Sequence, residues 1–265
     1  MADLADVLQS YAEFLRPTKQ YRHFLNTSRT NHEAAIAEAV TFGILQQCGV
    51  KPVLADLPGK GGPDFQCLVS DRDTFMVEAT SFTLAKVCKD TKLKNEIPAD
   101  LHGQAYSLLT QQINGKALDK KEQLENEEMP VVLAIASNHI HAGLVLNPMA
   151  ALNALLSQPY WTGNSPNMSV DFRYSAFLER SDNGEIIVKH PSLSAVILIA
   201  ITSRQSTVCG ALNPAPNHKL KAQHLYNIPF AYLKDWPIEK NVARCEWTMG
   251  NTGQFVFPHA AIRAI

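Results

Sequence analysis

Two stretches of this chain are too apolar to lie at a protein surface. Pro130-Val-Val-Leu-Ala-Ile-Ala-Ser137 and Ala195-Val-Ile-Leu-Ile-Ala-Ile-Thr202 are continuous apolar runs of strand length. A half-exposed strand alternates apolar and polar residues, whereas a run apolar on both faces is covered on both, as the central strands of an α/β sheet are. The chain is therefore expected to be α/β. Its 265 residues suffice for one large domain with a substantial core. At 46% hydrophobic and 18% charged residues, the composition is that of a folded globular protein rather than a disordered one.

The segments before the first run read as helix, strand, strand, strand, helix. Asn31 to Cys48 is a helix apolar nearly all round, closed by Gly49, so it is expected to be buried. A short strand follows at Pro52 to Asp56. Then come two strands that each bear one carboxylate, Asp64 beside Phe65, Cys67 and Val69, and Glu78 beside Phe75, Val77, Ala79 and Phe82. Turn residues bound them, with Gly59 to Pro63 in front and Ser70 to Asp73 between. A hairpin of this kind brings both carboxylates to one divalent cation, the hard oxygen site that suits magnesium or manganese. The loop Gly59-Lys-Gly-Gly62 is not a phosphate loop: it lacks the required spacing and leads into a strand rather than a helix.

Pro63-Asp64 followed by Glu78-Ala79-Thr80 resembles the PD-(D/E)XK nuclease superfamily, over roughly residues 31 to 135. The resemblance implies a restriction-endonuclease-like mixed sheet flanked by helices, with Asp64 and Glu78 as ligands of Mg2+ or Mn2+ and DNA as substrate. It also implies a glutamate from the opening helix. Glu33 and Glu38 lie about 140° apart around that helix at about 100° per residue, so only one can face the two strands. Glu38, set among Thr41, Phe42 and Leu45, is the candidate. Thr80 stands where the family has its lysine. Some members supply that lysine from the following helix, and here the helix Ala105 to Glu125 places Leu109, Ile113, Ala117 and Leu124 on one stripe with Lys120 in its middle. Lys120 is thus the first candidate for a migrated catalytic lysine, and Lys116, on the flank of the stripe, is the second. Snorkelling is the structural alternative for both.

The net charge of −1 gives no global basic field, so nucleic-acid binding would have to use a local patch. Lys86, Lys89, Lys92 and Lys94, read as one loop after the Glu78 strand, are candidates. The scattered cysteines at 48, 67, 88, 209 and 245 form no C-x-x-C pair. With the absence of a signal-like start or an eighteen-residue apolar run, they lead us to expect a cytoplasmic protein away from membranes. His139 and His141 sit two apart, with no third ligand in the sequence nearby. No G-x-S-x-G elbow occurs, which sets serine hydrolysis aside.

Residues 1 to 24 are expected to be an accessory amphipathic helix with Pro17 as its stop, 31 to 137 the nuclease-like core, and 138 to 265 an elaborated C-terminal half of one single domain. In that half, Asn147 to Leu156 reads as a helix and Pro159 to Pro166 as an aromatic loop. Val170 to Phe177, Glu185 to Val188 and Ala195 to Thr202 read as strands that extend the sheet or form a second one. The functional expectation is a metal-dependent nuclease, with DNA or RNA left open by the residues. A homodimer is expected because two strands need two centres, and the resemblance implies a role in defence against foreign DNA. The alternative is a catalytically silent nuclease-like fold that binds nucleic acid or a protein partner within a larger assembly.

Overall fold

The computed structural model describes residues 4–55, 62–71, 73–91, 94–96, 103–120, 124–125, 127–141, 146–157, 172, 174–201, 206–238 and 243–248, of which 90–91 and 103–110 are described by their backbone alone. Eight strands form one mixed sheet in the order β1-β2-β3-β4-β7-β8-β9-β10. These are Lys51–Leu54, Phe65–Leu68, Thr74–Ser81, Val131–Ser137, Ala195–Ile201, Ser206–Leu212, Phe230–Leu233 and Cys245–Trp247. β5 (Leu178–Arg180) and β6 (Ile186–Val188) pair separately as a small hairpin turned at Gly184, whose φ is +85°. The expected extension of the sheet and the expected second sheet are both present.

β4 and β7 are buried at all seven positions of each, as their apolar runs require. They lie parallel, and β4 is also parallel to β3. Alternate residues of these strands feed two cores. Phe75, Val77, Val132, Ala134 and Ile197 face one core with α1 (Leu4–Leu15), α2 (Gln20–Thr30) and α3 (His32–Gln47). Leu133, Ile135, Val196 and Leu198 face the other with α4 (Leu84–Thr91), α5 (Gly103–Asp119) and α6 (Pro148–Leu156). The period of two along a strand therefore decides which helices any side chain of β3 meets.

α3 matches its expected span. The Asn31 side chain accepts the Ala34 N–H, and Gly49 turns the chain out with φ +76°. It is covered on one side by the sheet and on the other by α1 and α2, which explains its all-round apolar character.

The helix expected over residues 1 to 24 stops before Pro17, as expected, at Leu15, and a second helix that was not expected follows it. Pro17 cannot donate its nitrogen and clashes with the preceding turn. The Thr18 backbone and hydroxyl both donate to the Leu15 carbonyl at 2.7 Å. α2 then restarts at Gln20 and lays Phe24 edge-on against Tyr11, with centroids 5.0 Å apart.

Two further expectations are corrected. Lys86 and Lys89 lie on α4, not in a loop. That helix forms because Thr83 Oγ1 accepts the Lys86 N–H, Glu33 Oε1 from α3 accepts the Leu84 N–H, and Val87 is buried. Lys94 is exposed in the irregular stretch beyond, and Lys92 lies outside the described residues. Residues 174–177 are not a strand. The Ser175 hydroxyl donates to the Ala154 and Leu155 carbonyls at the end of α6, and accepts the Phe177 and Leu178 N–H groups, so this segment is buried as a tie between α6 and β5. Val170 and the aromatic loop 159–166 lie outside the described residues.

All five cysteines are free, and burial pushes the Cys48 thiol up to about 11. No helix among the described residues is long and apolar enough to cross a membrane.

Gly210 of β8 shows how tightly the C-terminal half is built. A Cβ there would lie 2.6 Å from both the Phe230 ring and the Val196 carbonyl oxygen. Because the carbonyl belongs to the neighbouring strand, it cannot move aside. Gly210→Ala is expected to cost about 1–3 kcal/mol by overpacking, measured by denaturant unfolding.

A candidate carboxylate–lysine centre

β2 and β3 pair antiparallel from Phe65↔Val77 to Leu68↔Thr74. Extending that register by one residue sets Asp64 opposite Glu78, at the point where β2 begins and its pairing with β3 ends. The amides of β3 explain what happens there. Met76 and Phe82 donate to Pro130 and Ala136 on the β4 side, so the alternating Val77 and Ala79 amides point toward β2. At Ala79 there is no further strand residue to accept. The Asp64 carboxylate takes that place, with Oδ2 accepting the Ala79 N–H at 2.6 Å. This charge-assisted bond fixes Asp64 beside Glu78.

Glu78 has the strand parity opposite to Phe75 and Val77, so it faces the α5 side of the sheet. It is only 3% exposed. The stripe expected on α5 is the face that meets it: Ile113, Ala117 and Leu124 are buried, while the side chain of Leu109 lies outside the described residues. Lys120 follows the last residue of α5. The turn is continued by the bonds Lys120 N–H to Lys116 O and Leu124 N–H to Lys120 O, and the Lys120 ammonium reaches Glu78 Oε1 at 2.5 Å. The lysine side chain is 27% exposed, so one end of this ion pair is buried and the other opens to solvent.

Lys120, rather than Lys116, makes the contact with Glu78. Lys116 is half-buried, and its ammonium is pulled below the usual lysine range by burial and by the nearby cations Lys86 and Lys120, against the opposing pull of Asp119 and Glu78. The two helix lysines and Lys86 thus form a cationic group on one side of the carboxylates.

On the other side stands Glu38 of α3. The Asp64 carboxyl is held well above its usual range by burial first, then by Glu78 and Glu38, with the Ala79 amide and Lys120 opposing. The structure therefore brings Glu38, Asp64, Glu78 and Lys120 into one electrostatic group, with Lys116 at its margin. Glu33, the other glutamate of α3, caps α4. Thr80 lies two residues beyond Glu78 on the same side of β3, partly buried.

One member was not expected from the sequence. The phenol of the buried Tyr11 of α1 is pushed above the usual tyrosine range by burial first and then by the nearby Glu38 and Asp64. A tyrosine on an otherwise aliphatic helix stripe is the signal that could have found it, because a buried phenol needs a polar partner.

The oxygen donors suit a hard divalent cation. Asp64 and Glu78 can supply two carboxylates, which is enough for magnesium when water and substrate oxygens complete its shell. Among the described residues, no three histidine, cysteine, aspartate or glutamate side chains converge as they stand into a ready ligand set. His139 and His141 are used locally: His139 Nδ1 accepts the His141 N–H, His139 Nε2 meets Cys88 Sγ at 3.7 Å, and His141 Nε2 lies 3.0 Å from the Glu96 carbonyl oxygen. The chain matches no protein-family model, no curated protein and no solved structure.

The raised Asp64 pKa has a consequence for stability. The native state holds this proton more tightly than the unfolded chain, whose carboxyl titrates near 3.8. The resulting stabilisation is complete below that pH and is lost as pH rises through the raised native value. Asp64→Asn removes the buried charge while keeping an acceptor for Ala79. It is expected to raise the melting temperature at pH 8, by about 2–4 °C for each kcal/mol recovered in a domain of this size. The gain should shrink toward zero as the pH is lowered toward 4 in a series of thermal melts.

Proposed function

We propose that this chain is a metal-dependent nuclease of the PD-(D/E)XK type, hydrolysing phosphodiester bonds of DNA, with its catalytic lysine moved from the strand to the following helix. The observation that supports it most is the contact of Lys120 with Glu78, across from Asp64. A lysine just past the end of α5, the second helix after β3, meets the carboxylate of the strand whose own lysine position is Thr80. The order α3-β1-β2-β3-α4-α5-β4, with β4 parallel to β3, contains the core order that the restriction-endonuclease-like fold would have, with α4 added before α5.

In this reading Asp64 and Glu78 hold Mg2+ or Mn2+. Bound there, the ion would supply a Lewis acid for the phosphoryl group and a lowered pKa for a water molecule. The Ala79 amide holds the Asp64 carboxylate in place beside Glu78, where the two would serve as ligands. Glu38 orients the attacking water or assists the ion from the α3 side. Lys120, held at the centre by Glu78, would stabilise the negative charge that grows on the non-bridging phosphate oxygens. Lys116 and Lys86 lower the cost of bringing the polyanion close. The Thr80 hydroxyl orients Glu78 or a water beside it. Cutting both strands of a duplex calls for two centres, hence a homodimer, and defence against foreign DNA is the role such an enzyme would serve.

One observation favours a second reading, a silent nuclease-like fold that binds nucleic acid or a protein partner. The Lys120 ammonium already neutralises Glu78, and no third ligand stands ready among the described residues.

Cleavage of plasmid and linear DNA with magnesium or manganese separates the two. The nuclease reading expects cutting that is abolished by chelation and reduced at least about 10²-fold by Asp64→Ala or Glu78→Ala. No cutting of DNA or RNA by the unaltered protein with either ion would support the silent fold. Cutting that survives both substitutions would place the active site elsewhere.

A further inference from the structure

The helix α2 is charged against its own stability. Carboxylates in the first turn and cations in the last favour a helix. α2 has no acidic residue in its first turn, and its N-cap position is Lys19, which makes no side-chain capping bond. Arg22 follows within that turn. Ion pairs along the helix cannot compensate, because residues 14 to 32 contain Arg16, Lys19, Arg22 and Arg29 but no aspartate or glutamate. The carboxylates that bound this segment have partners of their own: Glu13 Oε1 accepts from the Gln9 amide at 3.2 Å, and Glu33 Oε1 accepts the Leu84 N–H. In a chain whose net charge is only −1, this is a local excess of positive charge.

The excess lies on one face. Phe24 is 4% exposed and marks the inner side of α2, against Tyr11. At about 100° per residue, Arg22, Asn26 and Arg29 fall on the opposite side, flanked by Lys19 and Thr30, and all five are exposed. Gln20, Tyr21, Thr27 and Ser28, nearer to Phe24, are half-buried. From Lys19 to Arg29 the ridge rises about 15 Å, the length of roughly four base pairs of duplex. Guanidinium, ammonium, amide and hydroxyl groups are those that meet phosphate oxygens. A membrane-surface helix would instead need an apolar face for lipid, and that of α2 is covered by α1 and α3.

We propose that the face of α2 bearing Lys19, Arg22, Asn26 and Arg29 is a docking surface for the phosphate backbone of a DNA duplex. This rests on the DNA partner of the reading given above, though not on cleavage. The ridge also leads toward the carboxylate–lysine centre. Glu33, four residues after Arg29, holds the start of α4, where Lys86 and Lys89 are exposed. α4 packs in turn on α5, just past whose end Lys120 meets Glu78. A local basic track of this kind supplies the electrostatic attraction that the nearly neutral chain as a whole lacks.

The test is fluorescence anisotropy of a labelled DNA duplex with the unaltered full chain across a salt series, with chelator present so that nothing is cut. Arg22→Gln/Arg29→Gln is compared with a control, Lys219→Gln/Lys234→Gln, which removes two exposed cations of the C-terminal half. The arginine pair should bind at least about tenfold more weakly at low salt, and its slope of log K against log salt should fall by about two, one for each phosphate contact. Its thermal melt should change little, since both side chains are exposed, and the control should bind as the unaltered chain does. Unchanged binding and slope in the arginine pair would overturn the inference while leaving DNA as the partner. An equal loss in both pairs would also overturn it, since net charge alone would then account for the effect. Binding to phosphatidylserine vesicles that needs the two arginines, without duplex binding, would overturn it in favour of a membrane surface. Arginine-dependent duplex binding by a chain that cuts no DNA with magnesium or manganese would uphold the inference and overturn the nuclease reading. No duplex binding by the unaltered chain would overturn both.

Discussion

Glu78 sits in a covered strand of an α/β sheet, where an unpaired carboxylate would cost several kcal/mol in desolvation. The Lys120 ammonium is the group that offsets it. The surroundings of that contact follow from its two ends. β3 must present Glu78 on the α5 side, so Phe75, Val77 and Ala79 fall on the α3 side by parity. α5 must end with its buried stripe directed at β3, so Ile113, Ala117 and Leu124 are interior while the lysine between them reaches inward instead of out. A buried ion pair is weak evidence for stability, because an apolar pair of the same shape commonly does as well. Its position beside a second carboxylate, Asp64, is what supports a chemical role in the proposed reading.

Asp64 supplies the second constraint. Its carboxylate finishes the β3 hydrogen-bond pattern where β2 stops, so one side chain serves both the sheet and the site. Burial, Glu78 and Glu38 all raise its proton affinity. A centre with three carboxylates and one ammonium in direct contact has an excess of negative charge to be met, by protons, by the flanking Lys116 and Lys86, or by a divalent ion. That competition is what would make the site receptive to a cation.

Much of this was legible in the sequence, and for physical reasons. β4 and β7 announced themselves because a strand covered on both faces is apolar at nearly every position. Glu78 was readable because it interrupts an apolar strand with a charge, Asp64 because it stands at the head of one, and Lys120 because it interrupts an apolar helix stripe. What escaped was decided by partners remote in sequence. α4 is capped by Glu33, fifty-one residues before Leu84, and without that cap its lysines read as loop. The segment before Leu178 is apolar enough for a strand, yet Ser175 ties it to α6 instead. Tyr11 looked like one more residue of an amphipathic stripe. The strands β9 and β10 are short, and the pairing of β8 with β9 depends on contacts such as Gly210 against Phe230 that no local pattern encodes.

The account turns on one claim, that Lys120 does from the helix what a lysine at position 80 would do from the strand. Thr80 shares the face of Glu78 on β3, so a lysine there would point into the same centre. The most direct measurement is the rate of magnesium-dependent DNA cleavage by Lys120→Met and by the double variant Thr80→Lys/Lys120→Met. The account predicts that Lys120→Met loses about 10²- to 10³-fold in rate and that adding Thr80→Lys restores a substantial part of it. Cleavage by Lys120→Met at the rate of the unaltered protein would contradict the claim.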